Sequence, residues 1–222
     1  MEQKPEGYYD GVNLALLDAM PLDAQVILEI GCGSGNLGAA YKQRNEECRY
    51  VGVEIIESAA ARAGQLLDKV YCASAENVDL GDLQGQVDCL VYGDVLEHLI
   101  DPWATLRRHG ALLRPGGKVL ACIPNVQHWT LLQHLLQGNW VYHDHGLLDS
   151  THVRFFTLNS IYALFAGAGL KVDNVIGLQV NQDASRAFFE KLRPGLENLG
   201  ISEERFLPLT SALQYLVAAS RA

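Results

Sequence analysis

The residues with the clearest chemical purpose stand near the start of the chain, in Val26-Ile27-Leu28-Glu29-Ile30-Gly31-Cys32-Gly33-Ser34-Gly35. A short apolar run passes directly into three glycines, and a helical pattern follows. Glycine permits positive φ and, lacking a Cβ, lets a ligand lie against the backbone. Backbone N–H groups at the start of the helix then face that ligand. Gly33-Ser34-Gly35-Asn36-Leu37-Gly38 also fits the GxGxxG spacing of dinucleotide-binding loops. Glu54 follows about 20 residues later, where such loops carry a ribose-binding acid. The loop by itself therefore leaves a dinucleotide open. Glu29 shifts the balance, because a carboxylate at the end of the strand repels a pyrophosphate and favours a ligand with positive charge.

The elements that must position this loop alternate along the chain. Short apolar runs at 26–30, 50–53, 70–73, 89–92 and 119–123 read as buried parallel strands, with further candidates at 170–176 and 215–219. Helical patterns fall between them, at about 37–44 and 58–67. Asp101-Pro102-Trp103 reads as an N-cap followed by Pro at the first helical position, opening a helix that runs to about Leu113. Thr157 caps another, ending near Gly167 or Gly169. The expected fold class is α/β: a Rossmann-like, seven-stranded, mostly parallel sheet with helices on both faces and an antiparallel last strand. The chain reads as one domain over 1–222, with an insertion at 127–156 and a second, partly helical one at 181–211.

With these elements in place, the chain resembles the class I S-adenosylmethionine-dependent methyltransferases, in particular small-molecule methyltransferases of the quinone and glycan biosynthesis type. The similarity runs in order over roughly residues 26–124. The segment from Glu29 to Gly35 resembles the family's first motif. Val53-Glu54 ends the second strand, where the family's acid holds two ribose hydroxyls. Ser74-Ala75-Glu76 stands where the family contacts adenine. Asp88 to Leu99, reading DCLVYGDVLEHL, resembles its fourth strand and following loop, and Leu113 to Lys118, reading LRPGGK, the turn before its fifth strand. The resemblance implies S-adenosylmethionine as cofactor, with S-adenosylhomocysteine as product. Its expected contacts are Glu29, Gly31, Gly33, Gly35, Glu54, Ala75, Glu76, Gly93 and Asp94, with Tyr9, beside Tyr8, closing over the methionine end. Each residue has a plainer reading. Glu54 is a solvated strand end, Glu76 starts a turn, and His98 is a packed histidine. Asp94 and Glu97 form an N-terminal capping box, which is the reading favoured for that pair.

Ligands of open α/β sheets sit at the carboxyl ends of the strands, and the 127–156 insertion begins at that edge. Leu131, Leu132, Leu135 and Leu136 give a helical apolar face, Gly138-Asn139 breaks it, and Tyr142-His143-Asp144-His145-Gly146 follows. This stretch, with Asp149 to Thr157, resembles a substrate lid. Methyl transfer to a hydroxyl benefits from a base. His145 is the first candidate and His152 the second, each against a structural alternative. Arg154 and Tyr142 are candidates for substrate binding, with Arg154 slightly favoured to pair with Asp149 or Asp144 instead. The His143-x-His145 spacing is loose for a metal and the chemistry requires none, so no metal is expected.

Composition narrows the partners. A formal net charge of −9 with no Lys/Arg cluster argues against nucleic acid. No apolar run approaches the ~20 residues of a membrane span, and no signal peptide is visible, so a soluble, cytoplasmic protein is expected. Cys32, Cys48, Cys72, Cys89 and Cys122 are odd in number, lack a CxxC, and read as reduced. The expected function is methyl transfer to a small molecule, on an oxygen of a sugar or quinone-like ring. A non-catalytic binding scaffold of the same fold, an NAD-dependent oxidoreductase and a protein methyltransferase are the alternatives. Oligomeric state, including a homodimer, stays open.

Overall fold

The computed structural model describes residues 11–221. Along the chain run α1 (Leu14–Ala19), β1 (Val26–Ile30), α2 (Asn36–Lys42), β2 (Arg49–Glu54), α3 (Glu57–Ala63), β3 (Lys69–Cys72), β4 (Val87–Gly93) and α4 (Pro102–Gly110). Then follow β5 (Leu113–Pro124), α5 (Trp129–Leu136), α6 (Leu158–Gly167), β6 (Leu170–Leu178), α7 (Gln182–Asn198), α8 (Glu203–Thr210) and β7 (Gln214–Arg221). The seven strands form one sheet in the order β3-β2-β1-β4-β5-β7-β6. All neighbouring pairs are parallel except those of β7, which runs antiparallel to both β5 and β6. This is the Rossmann-like architecture expected from the alternating pattern.

Strand residues alternate between two cores, as a period of two requires. Leu28, Leu90, Tyr92, Val119 and Ala121 face one side, where Leu106 of α4 and Ile161, Leu164 and Phe165 of α6 cover them. Ile27, Cys89, Val91, Leu120 and Cys122 face the other, under Leu16 and Leu17 of α1 and Leu37 and Tyr41 of α2. Four cysteines are therefore buried among apolar neighbours, while Cys72 is exposed, and all five are free thiols. A third cluster joins Phe188 and Phe189 of α7 to Phe206 and Leu207 of α8, with Trp129 and Leu132 of α5 packed on it. The 181–211 segment is thus two helices, and the helix that opens the 127–156 segment leans on them. The apolar face expected on α5 is split: Leu131 is buried, whereas Leu135 and Leu136 are exposed.

Two helix ends fall short of expectation. α3 stops at Ala63, capped by Gly64, and turns bridge to Leu67. α4 stops at Gly110, and Leu113 already belongs to β5. The Pro115-Gly116-Gly117 turn lies inside β5 as a bulge, where the register against β4 shifts between Val87 and Cys89. Gly116 has φ +73° there, and a Cβ on Gly117 would meet the Val87 carbonyl at 3.0 Å. The caps at Asp101 and Thr157 form as read: Asp101 accepts from the Ala104 amide, and Thr157 makes a reciprocal capping box with Ser160. Among the described residues no helix is long and apolar enough to cross a membrane.

Candidate active site at the carboxyl edge of the sheet

β1 and β4 are neighbours although β2 lies on the other side of β1, so the chain reverses its winding direction between them. That switch point opens a crevice at the carboxyl ends of the strands. A cavity of about 660 Å³ fills it, within the range of small-molecule sites.

Its first wall is the glycine loop. The amides of Gly31 and Cys32 both donate to the Val53 carbonyl, at 2.7 and 3.1 Å, so the loop folds over the end of β2. Gly31 has φ +73°, and a Cβ there would meet Val95 at 2.5 Å. Gly38, the last glycine of the pattern, serves packing: its Cβ would meet the Tyr50 ring at 2.7 Å. Glu54 accepts from the Gly33 amide at 2.9 Å and the Ile56 amide at 2.8 Å, which ties the ends of β1 and β2 together. Glu29 is buried and accepts from the Tyr50 hydroxyl at 3.0 Å. Burial pushes its carboxyl up to about 8, against the Tyr50 bond and with a further rise from Glu54. Ala75 and Glu76 lie farther along, Glu76 accepting from the Asp101 amide at 2.8 Å.

At the end of β4, Asp94 adopts φ +55° and accepts from Gln214 Nε2 at 2.6 Å. Burial lifts its carboxyl to about 6, although the Gln214 bond lowers it. The expected capping box with Glu97 does not form. The helical turn that follows, Leu96–His98, is a single 3-10 turn whose cap is Val95, without a side-chain bond. Glu97 is instead buried in the cavity wall, which His98, Asp149, Thr151 and His152 also form. His98, expected as a packed histidine, is part of this wall. The sequence pattern DVLEHL marked the place, but a short turn and a helix start look alike in one dimension.

The remaining candidates separate. Gly31, Gly33, Glu29, Glu54, Ala75, Glu76, Gly93, Asp94 and His152 all line the cavity, whereas Gly35, at the cap of α2, stands behind it. His145, the first choice as base, is exposed in a turn and does not line the cavity; its neighbour Gly146 does. Tyr142 is also exposed and sits edge-on to Trp140 outside the wall. Arg154 donates to the carbonyls of Val153 and Ile100 and lies over the Trp103 ring, so backbone oxygens take the place of the carboxylates expected for it. It too lies outside the wall. Tyr8 and Tyr9 lie outside the described residues.

The donor set suits a cationic nucleoside ligand. Six carboxylates line the cavity, and among the described residues no Lys or Arg does. A pyrophosphate would meet Glu29 and Glu54 unopposed, while an ammonium or sulfonium offsets the buried charge that Glu29 otherwise avoids by holding its proton. A family model described as a methyltransferase domain matches residues 3–175. The ubiquinone biosynthesis O-methyltransferase of Pseudomonas paraeruginosa is 28% identical over 165 residues, covering 72% of this chain and 70% of that protein. An uncharacterized 37.1 kDa protein in transposon TN4556 of Streptomyces fradiae is 32% identical over 134 residues, and the match spans 55% of this chain and 36% of that protein's length. Among solved structures, a SAM-dependent methyltransferase from Archaeoglobus fulgidus superposes with TM-score 0.65 at 15% identity, covering 97% of each chain, a likeness of fold. The chain belongs to the methyltransferase domain family and is a class I S-adenosylmethionine-dependent methyltransferase.

Proposed function

We propose that the chain methylates a hydroxyl oxygen on an uncharged small molecule, a sugar or a quinone-like ring. The observation that carries this reading is the charge of the cavity: carboxylates on both walls and no cationic side chain among the described lining residues. An acceptor bearing a carboxylate or phosphate would be desolvated against like charge. The match to a ubiquinone biosynthesis O-methyltransferase supports oxygen as the acceptor atom and a ring as its carrier.

When bound, S-adenosylmethionine supplies a methyl group on a sulfonium, open to displacement by a nucleophile. In this reading Glu29 faces the cofactor's ammonium and Glu54 the ribose hydroxyls. Ala75 and Glu76 border the adenine. Gly31 and Gly33 bring the backbone close, Gly35 sets the turn, and Gly93 with Asp94 borders the methionine end. The chain's part in the chemistry is to align the acceptor, exclude water and take a proton. His152 replaces His145 as the base, because it alone of the two lines the cavity. The 127–156 segment covers the acceptor, and the chain works as one domain.

The test is methyl transfer from labelled S-adenosylmethionine to matched sets of uncharged phenols and methyl glycosides, their carboxylated analogues, and amines. Transfer to uncharged hydroxyls in preference to the carboxylated set supports the reading. Preference for a carboxylated acceptor, or for amines alone, overturns it.

A further inference from the structure

A second, open cleft of about 470 Å³ lies beside the main cavity. Gly11, Asn13, Asp94 and Gln214 line both, so the two meet along a shared wall. The sheet order fixes where the cleft stands. From β2 through β1 to β4 the carboxyl edge carries Glu54, Glu29 and Asp94, and beyond β4 it continues through β5 and β7 to β6. Because β7 is antiparallel, its first residue, Gln214, stands at that same edge, paired with Pro124 at the end of β5 and Leu178 at the end of β6. Leu178 and Gln179 line the cleft, with Val12 and Ala15 from the start of the described chain. The cleft thus extends the ligand edge away from Glu54, past the residue placed at the methionine end. Among the described residues two that are not glycine have a left-handed backbone: Asp94 at φ +55° and Gln179 at φ +49°. Both line this cleft. Aspartate is among the residues that tolerate positive φ, and glutamine is not. Strain of this kind clusters at ligand sites. Gln214 Nε2 donates to Asp94 Oδ1 at 2.6 Å, so its Oε1 faces away from that carboxylate. Among the described residues, neither this Oε1 nor the side-chain amide of Gln179 has a hydrogen-bond partner. Asn13 gives shape instead, its Oδ1 accepting from the Leu16 amide and its Nδ2 donating to Cys122. No Lys or Arg lines the cleft among the described residues.

We propose that the acceptor carries a neutral, hydroxylated arm, a sugar residue, which binds in this cleft against the amides of Gln179 and Gln214 while its reacting hydroxyl lies in the main cavity. The inference rests on the reading that the acceptor is an uncharged hydroxyl compound, and it narrows that reading to a glycoside. An amide offers both a donor and an acceptor, and a hydroxyl is both, so a row of hydroxyls satisfies what the two glutamines leave open. An arm bearing carboxylate or phosphate finds no cation here and faces Asp94. A wholly apolar arm would cover Gln214 Oε1 and the Gln179 amide without replacing their water, which costs binding. Val12, Ala15 and Leu178 supply apolar contact for the C–H faces of a sugar ring. The cleft has the volume of a small-molecule site. The strained backbone at Gln179 has a cost in the free protein that glycine would remove, and holding an amide at the cleft is what offsets it.

The test uses the S-adenosylhomocysteine complex and needs no turnover. Hydroquinone monoglycosides of glucose, galactose and xylose are titrated by NMR on the side-chain amide resonances of Gln179 and Gln214. Hydroquinone monomethyl ether, which lacks the arm, and hydroquinone glucuronide, whose arm is charged, are the comparison probes. At least one glycoside should shift both glutamine amides and bind more tightly than either comparison probe. Gln179→Gly relieves the positive φ, so its Tm should lie at or above that of the wild type. The same variant should weaken glycoside binding about two- to tenfold, as expected for one hydrogen bond. Gln179→Asn, which keeps an amide and tolerates the backbone, should recover part of that loss. Gln214→Met should weaken the glycoside comparably; if it fails to fold, the Gln179 variants carry the test. S-adenosylhomocysteine affinity should stay within about twofold in the Gln179 variants, and in turnover the loss should appear in KM more than in kcat. A merely structural role for Gln179 would move Tm and leave glycoside affinity alone. Three results overturn the proposal and leave the hydroxyl reading intact: no glutamine shift with any glycoside, binding of the monomethyl ether or the glucuronide as tight as that of the best glycoside, or unchanged glycoside affinity in Gln179→Gly. Transfer to amines only would overturn the hydroxyl reading, and the glutamine shifts would still decide whether the cleft takes a sugar.

Discussion

Asp88 at one end of the sheet, and Glu29 and Glu97 at the other, are buried acids treated in opposite ways. At the amino end, Asp88 of β4 accepts from the Gln25 amide at 2.8 Å and the Val26 amide at 2.7 Å, and it pairs with Arg114. Burial raises its carboxyl, but the bonds from Val26, Arg114 and Gln25 outweigh burial and hold it below the usual range. At the carboxyl end, Glu29 has one hydroxyl donor and Glu97 none, and burial lifts both. Asp88 lies closer to the surface, beside the exposed Arg114, and it also has donors from the protein itself that Glu29 and Glu97 largely lack. A satisfied acid pins strands together. An unsatisfied one in a cavity wall is suited to a donor that arrives with a ligand.

That contrast can be broken most sharply at the acceptor wall. His152→Gln should lower kcat about 100- to 10,000-fold without weakening S-adenosylhomocysteine binding. His145→Gln should cost less than about tenfold, because its side chain is exposed outside the wall. Steady-state kinetics with the two variants decides, and the reverse order would restore His145 as the base. Next in size is Glu54→Ala, which removes a charged acceptor shared by the loop and the ribose position. Losing about 1.5–3 kcal/mol weakens S-adenosylhomocysteine binding roughly 10- to 150-fold by calorimetry. Asp88→Ala should lose a similar free energy in the other currency: about 1.5–3 kcal/mol of stability in a denaturant titration, with cofactor affinity unchanged. Its depressed carboxyl contributes fully above the unfolded value of about 3.9, and the contribution is lost as pH falls through the lower folded value. Weakened cofactor binding by a folded Asp88→Ala would erase the distinction between the two ends.

The sheet was legible because buried parallel strands leave uninterrupted apolar runs, and the runs at 26–30 and 170–176 need little or no adjustment against β1 and β6. The cofactor edge was legible for a related reason. A glycine turn and an acid at a strand end are local features, set within a few residues of β1 and β2. The proposed acceptor wall was not local. Glu97 and His152 meet only because the Glu97 carbonyl captures the amides of Val153 and Arg154, a contact over more than fifty positions of chain that no spacing announces. His145 and His152 look equivalent in sequence, and tertiary folding alone turns one outward. The LRPGGK segment misled in the opposite sense. Pro and two glycines read as a stop between elements, yet β5 absorbs them as a bulge because Gly117 has no Cβ to meet the Val87 carbonyl.

The smallest expected effect concerns Glu29 and needs no variant. With its carboxyl lifted to about 8, Glu29 holds a proton at pH 7 in the cofactor-free protein. Tyr50 donates its single hydroxyl hydrogen to Oε2, which is too little to keep the group ionised at full burial. An ammonium placed against the carboxyl favours the ionised form and lowers its pKa. Binding then releases a proton, and the direction of the pH dependence follows. Between about pH 6 and 7.5 the free protein must give up that proton to bind, so affinity strengthens as pH rises, by at most about tenfold per pH unit. Calorimetry of S-adenosylhomocysteine at pH 7 in phosphate and in Tris reads the release directly, because the two buffers take up a proton with different enthalpies. The apparent binding enthalpy should differ between them, by up to one proton's worth. Glu29→Gln should bind more weakly and show no such difference. Equal enthalpies in the two buffers for the wild-type protein would mean that Glu29 is already ionised before the ligand arrives. The carboxyl edge would then hold its charge much as Asp88 does at the other end of the sheet.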